Sequence, residues 1–85
     1  MSRFIDVEVT AEDIARGEPE VNDDCPLARA LRRAGEWDAF VGRTSWWRDG
    51  GSAEWAGLPD GAVAFVRDFD AGKPVEPATF RLVLP

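Results

Sequence analysis

Eight carboxylates fall between Asp6 and Asp24: Asp6, Glu8, Glu12, Asp13, Glu18, Glu20, Asp23 and Asp24, with Arg16 the one base among them. Acids at this density can hold a hard cation, work as a catalytic pair, or present a polyanionic strip. A calcium loop needs oxygen ligands at fixed positions, a central glycine and a terminal bidentate Glu. No window of the chain has that spacing, and NDDCP runs directly into a helix start, so no metal is expected. A catalytic pair needs environments that separate two carboxyl pKa values. These acids read as a strand face and a loop, so no catalytic residue is expected. The third chemistry fits better. DNA carries one phosphate charge per ~1.7 Å of axis, and a folded strip of these eight carboxylates approaches that density. Such a strip can occupy a Lys/Arg channel built for nucleic acid, with binding that weakens in salt. The plain alternative is that Asp23 and Asp24 cap a helix, Glu12 and Asp13 favour the dipole of another, and the rest are solvated.

The second stretch with chemistry is TSWWRDGGSAEW. Adjacent residues of a strand point to opposite faces, so one of Trp46 and Trp47 fills the core. The other is exposed, covered by a helix or the 73–79 connection, or held by a partner. Trp and Arg are typical interface hot spots, which makes Trp46 or Trp47, with Arg48, a candidate contact. Base stacking on these rings is opposed by the negative charge of the chain. Cys25 lies beside Pro26 at a helix start, where a thiol pKa can fall. Asp23 and Asp24 push the other way, and with no His and no second Cys a nucleophile has nothing to act with. The Gly50-Gly51 pair belongs to a turn and not to a phosphate loop.

These groups must be carried by a chain of 85 residues with net charge −6, which is read as one domain, 1–85. The charge is uneven: residues 1–24 carry −6, residues 25–48 carry +3 and residues 49–85 carry −3. That balance disfavours direct contact with nucleic acid or an anionic membrane. No run approaches the ~20 apolar residues of a membrane helix. A lone thiol and an N-terminus without a secretory pattern point to the cytoplasm, and no cofactor is implied.

Alternation of Ile5, Val7 and Val9 with Asp6 and Glu8 predicts a half-buried strand. Thr10 then caps a short helix over Ala11–Arg16, which Gly17 is expected to end in a left-handed conformation. After the loop EPEVNDD, a second helix begins near Cys25–Pro26, with Asp23, Asp24 or Cys25 as its cap. Leu27, Ala30, Leu31 and Ala34 form its apolar stripe, and Gly35 ends it. Trp37–Val41, Thr44–Arg48 and Ser52–Trp55 read as three strands joined by tight turns at Gly42-Arg43 and Asp49-Gly50-Gly51. Leu58-Pro59-Asp60-Gly61 opens a third helix, lined inside by Ala62, Phe65, Val66 and Phe69 and closed by Gly72 and Pro74. A last strand covers Thr79–Leu84. The order β-α-α-β-β-β-α-β predicts an α+β fold, a small twisted, mainly antiparallel sheet with helices packed on one face.

Taken together, VTAEDIARGE, CPLARALRRAG and FVRDFDAGKPVEPATFRLVLP resemble a group of small uncharacterised proteins of bacteriophages and high-GC bacteria. That group shares a T-x-x-D-I-x-x-G turn, a C-P-[LV]-A helix and a final F-D-x-G-x-P-V-x-P strand. Thr10, Asp13, Ile14, Gly17, Cys25, Pro26, Phe69, Asp70, Gly72, Pro74, Val75 and Pro77 match the pattern, and the resemblance implies that most of them define the fold. The group often has another Cys before the C-P pair; here that region reads VNDD, so no shared zinc or thiol role is carried over. In size and charge the chain is also similar to anti-CRISPR proteins, several of which imitate DNA. The expectation is therefore an acidic, non-enzymatic inhibitor that meets a basic nucleic-acid-binding surface of a host complex, a CRISPR surveillance complex, and blocks DNA by charge mimicry. The alternative is a small phage accessory or assembly protein that binds a protein partner through the tryptophan hairpin.

Overall fold

Val7 and Val9 are fully buried while Asp6 and Glu8 face solvent. That alternation makes β1 (Phe4–Val9) a strand with one wet face. The computed structural model describes residues 3–48 and 54–85. Within them β1 is followed by α1 (Ala11–Arg16), α2 (Pro26–Arg33), β2 (Ala39–Val41), β3 (Ser45–Arg48), β4 (Trp55–Gly57), α3 (Asp60–Asp70) and β5 (Ala78–Val83). This is the expected order, in an α+β domain. The five strands divide into two antiparallel sheets, β1–β5 and β2–β3–β4, where a single sheet was anticipated. The division costs few ladder bonds because β2 and β4 are only three residues long.

Two local devices set the path between β1 and α2. Thr10 and Asp13 form a capping box, each side chain accepting from the other's backbone N–H. Gly17 then ends α1, but with φ −70° and ψ 151° rather than in the left-handed region. Space is what demands glycine here: a Cβ would lie 2.7 Å from the Pro26 ring and 2.8 Å from the Asp13 carbonyl oxygen. The N-cap of α2 is Cys25, not Asp23 or Asp24. Its Sγ accepts from the Ala28 N–H at 3.4 Å, and Pro26 occupies the first helical position.

Leu27 and Leu31 of α2, Ala62, Phe65 and Val66 of α3, and Val7, Val9, Val41, Trp46 and Leu82 of the strands form one core. Ala34, expected in the stripe of α2, is the exposed C-cap. The Phe65 and Phe80 rings meet edge to face at 5.6 Å and tie α3 to β5. Trp46 ties the two sheets together: its ring is fully buried and its Nε1–H donates to the Val83 carbonyl at 2.9 Å. Trp37 lies in the turn before β2 rather than in the strand. β4 starts at Trp55, three residues later than anticipated, while the Asp49-Gly50-Gly51 turn and Ser52 lie outside the described residues. No described helix is long and apolar enough to cross a membrane.

Candidate functional site

The sheet β2–β3–β4 has two unlike faces, and its register decides which side chains each receives. Val41, Trp46 and Ala56 stand in line across the three strands and are buried. One position along, Phe40, Trp47 and Trp55 stand in line on the other face. Phe40 and Trp47 stack with centroids 6.1 Å apart and planes 8° from parallel. Gly42 lies under this stack: a Cβ there would sit 3.0 Å from the Trp47 ring. Trp55 completes the row and is 67% exposed. Trp37, in the turn leading to β2, is 78% exposed. Phe40 and Trp47 are half-buried, so Trp55 is the exposed end of the row. Isolated exposed apolar residues are ordinary, but one continued by two half-buried rings is a larger apolar surface.

Arg48 shares the inner face with Trp46 and does not reach out. Its guanidinium lies 5.8 Å from the centre of the Trp46 ring and donates to both oxygens of Glu36, at 2.8 and 2.7 Å. Those bonds, reinforced by the nearby charges of Glu36, Asp38 and Glu54 and opposed by partial burial, hold the Arg48 pKa above its ordinary value. A group of carboxylates therefore borders one end of the aromatic sheet.

The acids of the N-terminal segment take two distinct roles. Asp13 is buried and accepts from both terminal nitrogens of Arg33, at 2.7 and 2.8 Å. Burial pushes its carboxyl pKa up; the Arg33 guanidinium and the Thr10 backbone N–H outweigh this and hold it below the usual value. Asp24 pairs with Arg29 and Arg32, and the Asp23 carbonyl accepts from Arg32. Glu12 pairs with Arg16 along α1, and Asp6 with Arg81 across the β1–β5 ladder. The hydrogen bond from Arg81 is the main cause that lowers the Asp6 pKa. Among the described residues, the side chains of Glu8, Glu18, Glu20 and Asp23 carry no ion pair, and all four are exposed. Of the ten residues singled out in the sequence, Asp13 and Trp46 are thus interior, Asp6, Glu12 and Asp24 are on the surface with partners, and Trp47 joins the aromatic row. Neither Asp23 nor Asp24 caps α2 by its side chain, because Cys25 does so.

Cys25 is buried, and burial pushes its thiol pKa up despite its place at a helix start. No described group of three or more Cys, Asp or Glu is placed to hold a metal ion. Sequence reasoning missed Trp37, Phe40 and Trp55. The signal was present only in part for Phe40 and Trp55. Alternation puts them on the same face as an outward Trp47, but a turn at Gly42-Arg43 would set Asp38 opposite that ring. The observed hairpin instead closes on Gly42 and Ser45, which brings Phe40 there. In comparisons with protein-family models, curated proteins and solved structures, the chain matches none.

Proposed function

We propose that this chain is a binding protein with no reaction of its own, and that its contact surface is the aromatic face of β2–β3–β4. The observation that carries this reading is the row Phe40–Trp47–Trp55 on the outer side of a sheet whose inner side is fully used by the core. Large rings on a supported strand lose little conformational freedom on binding, which is why they anchor interfaces. The net charge of −6 favours a protein partner that presents Arg or Lys side chains. Exposed indole faces accept such cations as well.

A second reading keeps the acidic strip as the contact: an anti-CRISPR-type inhibitor, acting in the host cytoplasm, that fills the DNA channel of a surveillance complex. What supports it is the set Glu8, Glu18, Glu20 and Asp23, exposed and without ion pairs among the described residues. Against it, Asp13 is interior and Asp6, Glu12 and Asp24 share their charge with arginines. Both readings accept the same basic partner class, and variants separate them. Binding to a purified CRISPR surveillance complex is measured at low and high salt for the wild type, for Trp37→Ala/Trp55→Ala, and for Glu8→Gln/Glu18→Gln/Glu20→Gln/Asp23→Gln. On the first reading the tryptophan variant loses about 2 kcal/mol or more of binding energy, the hot-spot scale, and salt weakens binding less than on the second. On the second, the charge variant and added salt weaken binding together. Absence of any binding removes this complex as a partner.

A further inference from the structure

The two edges of the sheet β2–β3–β4 are finished differently. In an antiparallel pair, opposite residues alternate between those that exchange backbone hydrogen bonds and those that do not. The Gly42 N–H donates to the Ser45 carbonyl, and the Leu58 N–H to the Thr44 carbonyl, both at 2.8 Å. With the observed register, Phe40–Trp47 is then a bonded pair between β2 and β3, and Trp46–Ala56 one between β3 and β4. The backbone groups of Ala39 and Val41 on one edge, and of Trp55 and Gly57 on the other, therefore point away from β3. Ala39 and Val41 are served by their own chain: their N–H groups donate to the carbonyls of Glu36 and Asn22, at 3.1 and 2.8 Å. No hydrogen bond to the outward backbone groups of Trp55 or Gly57 is found among the described residues.

This second edge is also accessible. Gly57 is exposed, and the exposure of a glycine is that of its backbone. A Cβ built on it would meet nothing within 4 Å. Trp55, exposed as well, belongs both to this edge and to the aromatic row. β5 does not pair with the edge: it takes its ladder from β1, and its Val83 carbonyl accepts from the Trp46 indole. Unpaired edges are templates for a further strand, and native chains often blunt them with Lys or Pro. β4, with the sequence WAG, carries neither.

We infer that β4 receives an extended segment of the partner as an added antiparallel strand, with basic side chains at alternate positions and a small residue between them. This rests on the reading of the aromatic face as the contact surface and adds how a partner is held there. The two residues opposite Trp55 and Gly57 exchange main-chain bonds with them, and their side chains stand on the outer face. There the Trp55 indole meets a cation, and the missing side chain of Gly57 leaves room for a long one. The residue between them faces inward beside the buried Ala56, which is why it is small. The net charge of −6 selects a basic segment. It also disfavours a second copy, which would set two chains of that charge side by side across an edge three residues long.

The probe is the peptide acetyl-Thr-Arg-Ala-Arg-Thr-amide, titrated into the whole protein and followed by amide shifts in two-dimensional NMR. The Trp55 and Gly57 amide protons are expected to move downfield and saturate, and those of Ala39 and Val41 to stay. Methylating both Arg backbone nitrogens of the peptide removes its donors to β4 and is expected to weaken binding about tenfold, the scale of two net hydrogen bonds. Methylating the Ala nitrogen, which points away from β4, is expected to change binding by less than about twofold. On the protein, Gly57→Pro deletes an outward N–H without taking a ladder bond, and is expected to weaken binding about fivefold, while Gly57→Ala keeps it. The absence of saturable shifts at Trp55 and Gly57 overturns the added strand. So does equal binding by the Arg-methylated and unmethylated peptides, a comparison that holds even where Gly57→Pro disturbs the fold. A dimer of the protein that Gly57→Pro dissolves overturns it too, since a second copy then holds the edge. Trp55→Ala separates the two readings. Binding lost in Gly57→Pro and kept in Trp55→Ala overturns the aromatic row and leaves the strand; the reverse overturns the strand and leaves the row.

Discussion

Two regions of this molecule advertise themselves in the sequence, the acidic run from Asp6 to Asp24 and the tryptophan-rich run from Trp37 to Trp55, and the fold treats them in opposite ways. In the first, half of the eight carboxylates receive arginine partners, and the most buried of them, Asp13, becomes the hub that fixes α1 to α2. In the second, only Trp46 is drawn inside, and the register lays Phe40, Trp47 and Trp55 in a row outside. Charge density along a chain is therefore a poor guide to charge density on its surface when a basic helix follows. Arg29, Arg32 and Arg33 of the basic stretch 25–48 neutralise two of these acids, Asp24 and Asp13, while Arg16 and Arg81 pair with Glu12 and Asp6. Apolar rings have no such counterpart. Once the core is full, those on the outer face of a thin sheet stay half-buried, as Phe40 and Trp47 are, or exposed, as Trp55 is.

This contrast can be broken by substitution, and the largest effect belongs to the tryptophan that went inside. Trp46→Ala removes a fully buried ring and the hydrogen bond joining the two sheets. It is expected to cost about 3–5 kcal/mol, enough to unfold much of so small a domain. Trp55→Ala, one register position along on the neighbouring strand and on the opposite face, is expected to stay within about 0.5 kcal/mol. Urea unfolding of the two variants measures the difference. Equal costs would mean that the two faces of the sheet are not as distinct as described.

The acidic region yields the next effect. Asp13→Ala removes the capping box and leaves Arg33 without its partner, and is expected to cost about 2 kcal/mol, since hydrogen bonds to charged groups are worth ~1.5–3 kcal/mol. Glu18→Gln and Glu20→Gln are expected to change stability by less than about 0.5 kcal/mol. Denaturation midpoints of the three proteins make the comparison.

The same contrast has a pH signature. The carboxyl groups of Asp13 and Asp6 are held below their ordinary values in the folded chain. Between the folded and unfolded pKa values, the unfolded chain binds more protons, so stability rises with pH in that window. The contribution is fully present above about pH 4 and is lost as the pH falls through the lower, folded values. Melting temperatures taken from neutral to strongly acidic pH are expected to fall for the wild type, and to fall less steeply for Asp13→Asn.

The smallest effect sharpens the aromatic side. Gly42→Ala places a methyl group 3.0 Å from the Trp47 ring. The ring must shift, at a cost of about 1 kcal/mol. Ring-proton shifts of Trp47 and Phe40 should move together, with Trp46 unchanged.

The elements were legible because their signals are local: alternation in β1, the Thr10 cap, Pro26 at a helix start, the apolar face of α3. What was not legible depends on distance along the chain. Period-two alternation says that Trp46 and Trp47 oppose each other, but which one enters the core is decided by the Val83 carbonyl, 37 residues away. Arg33 reaches Asp13 across 20 residues, so the acids could be counted in the sequence but their pairing could not. The split into two sheets follows from which short edges β1 and β5 meet, a long-range matter as well. Gly17 was read as a conformational need, whereas Pro26 makes it a steric one. The N-cap was left open among three residues, since a thiol is seldom the acceptor where two aspartates stand beside it.

The central claim is that the exposed rings, rather than the acidic segment, make contact with a basic partner. It is tested most directly by the affinity of the purified surveillance complex for Trp37→Ala/Trp55→Ala and for the four-acid Gln variant, side by side, with the folds of both checked by circular dichroism. The tryptophan variant is predicted to bind about 30-fold more weakly or worse, while the acid variant binds within a few-fold of wild type, the scale of rim charges. Full binding by the tryptophan variant, with binding lost in the acid variant, would contradict it.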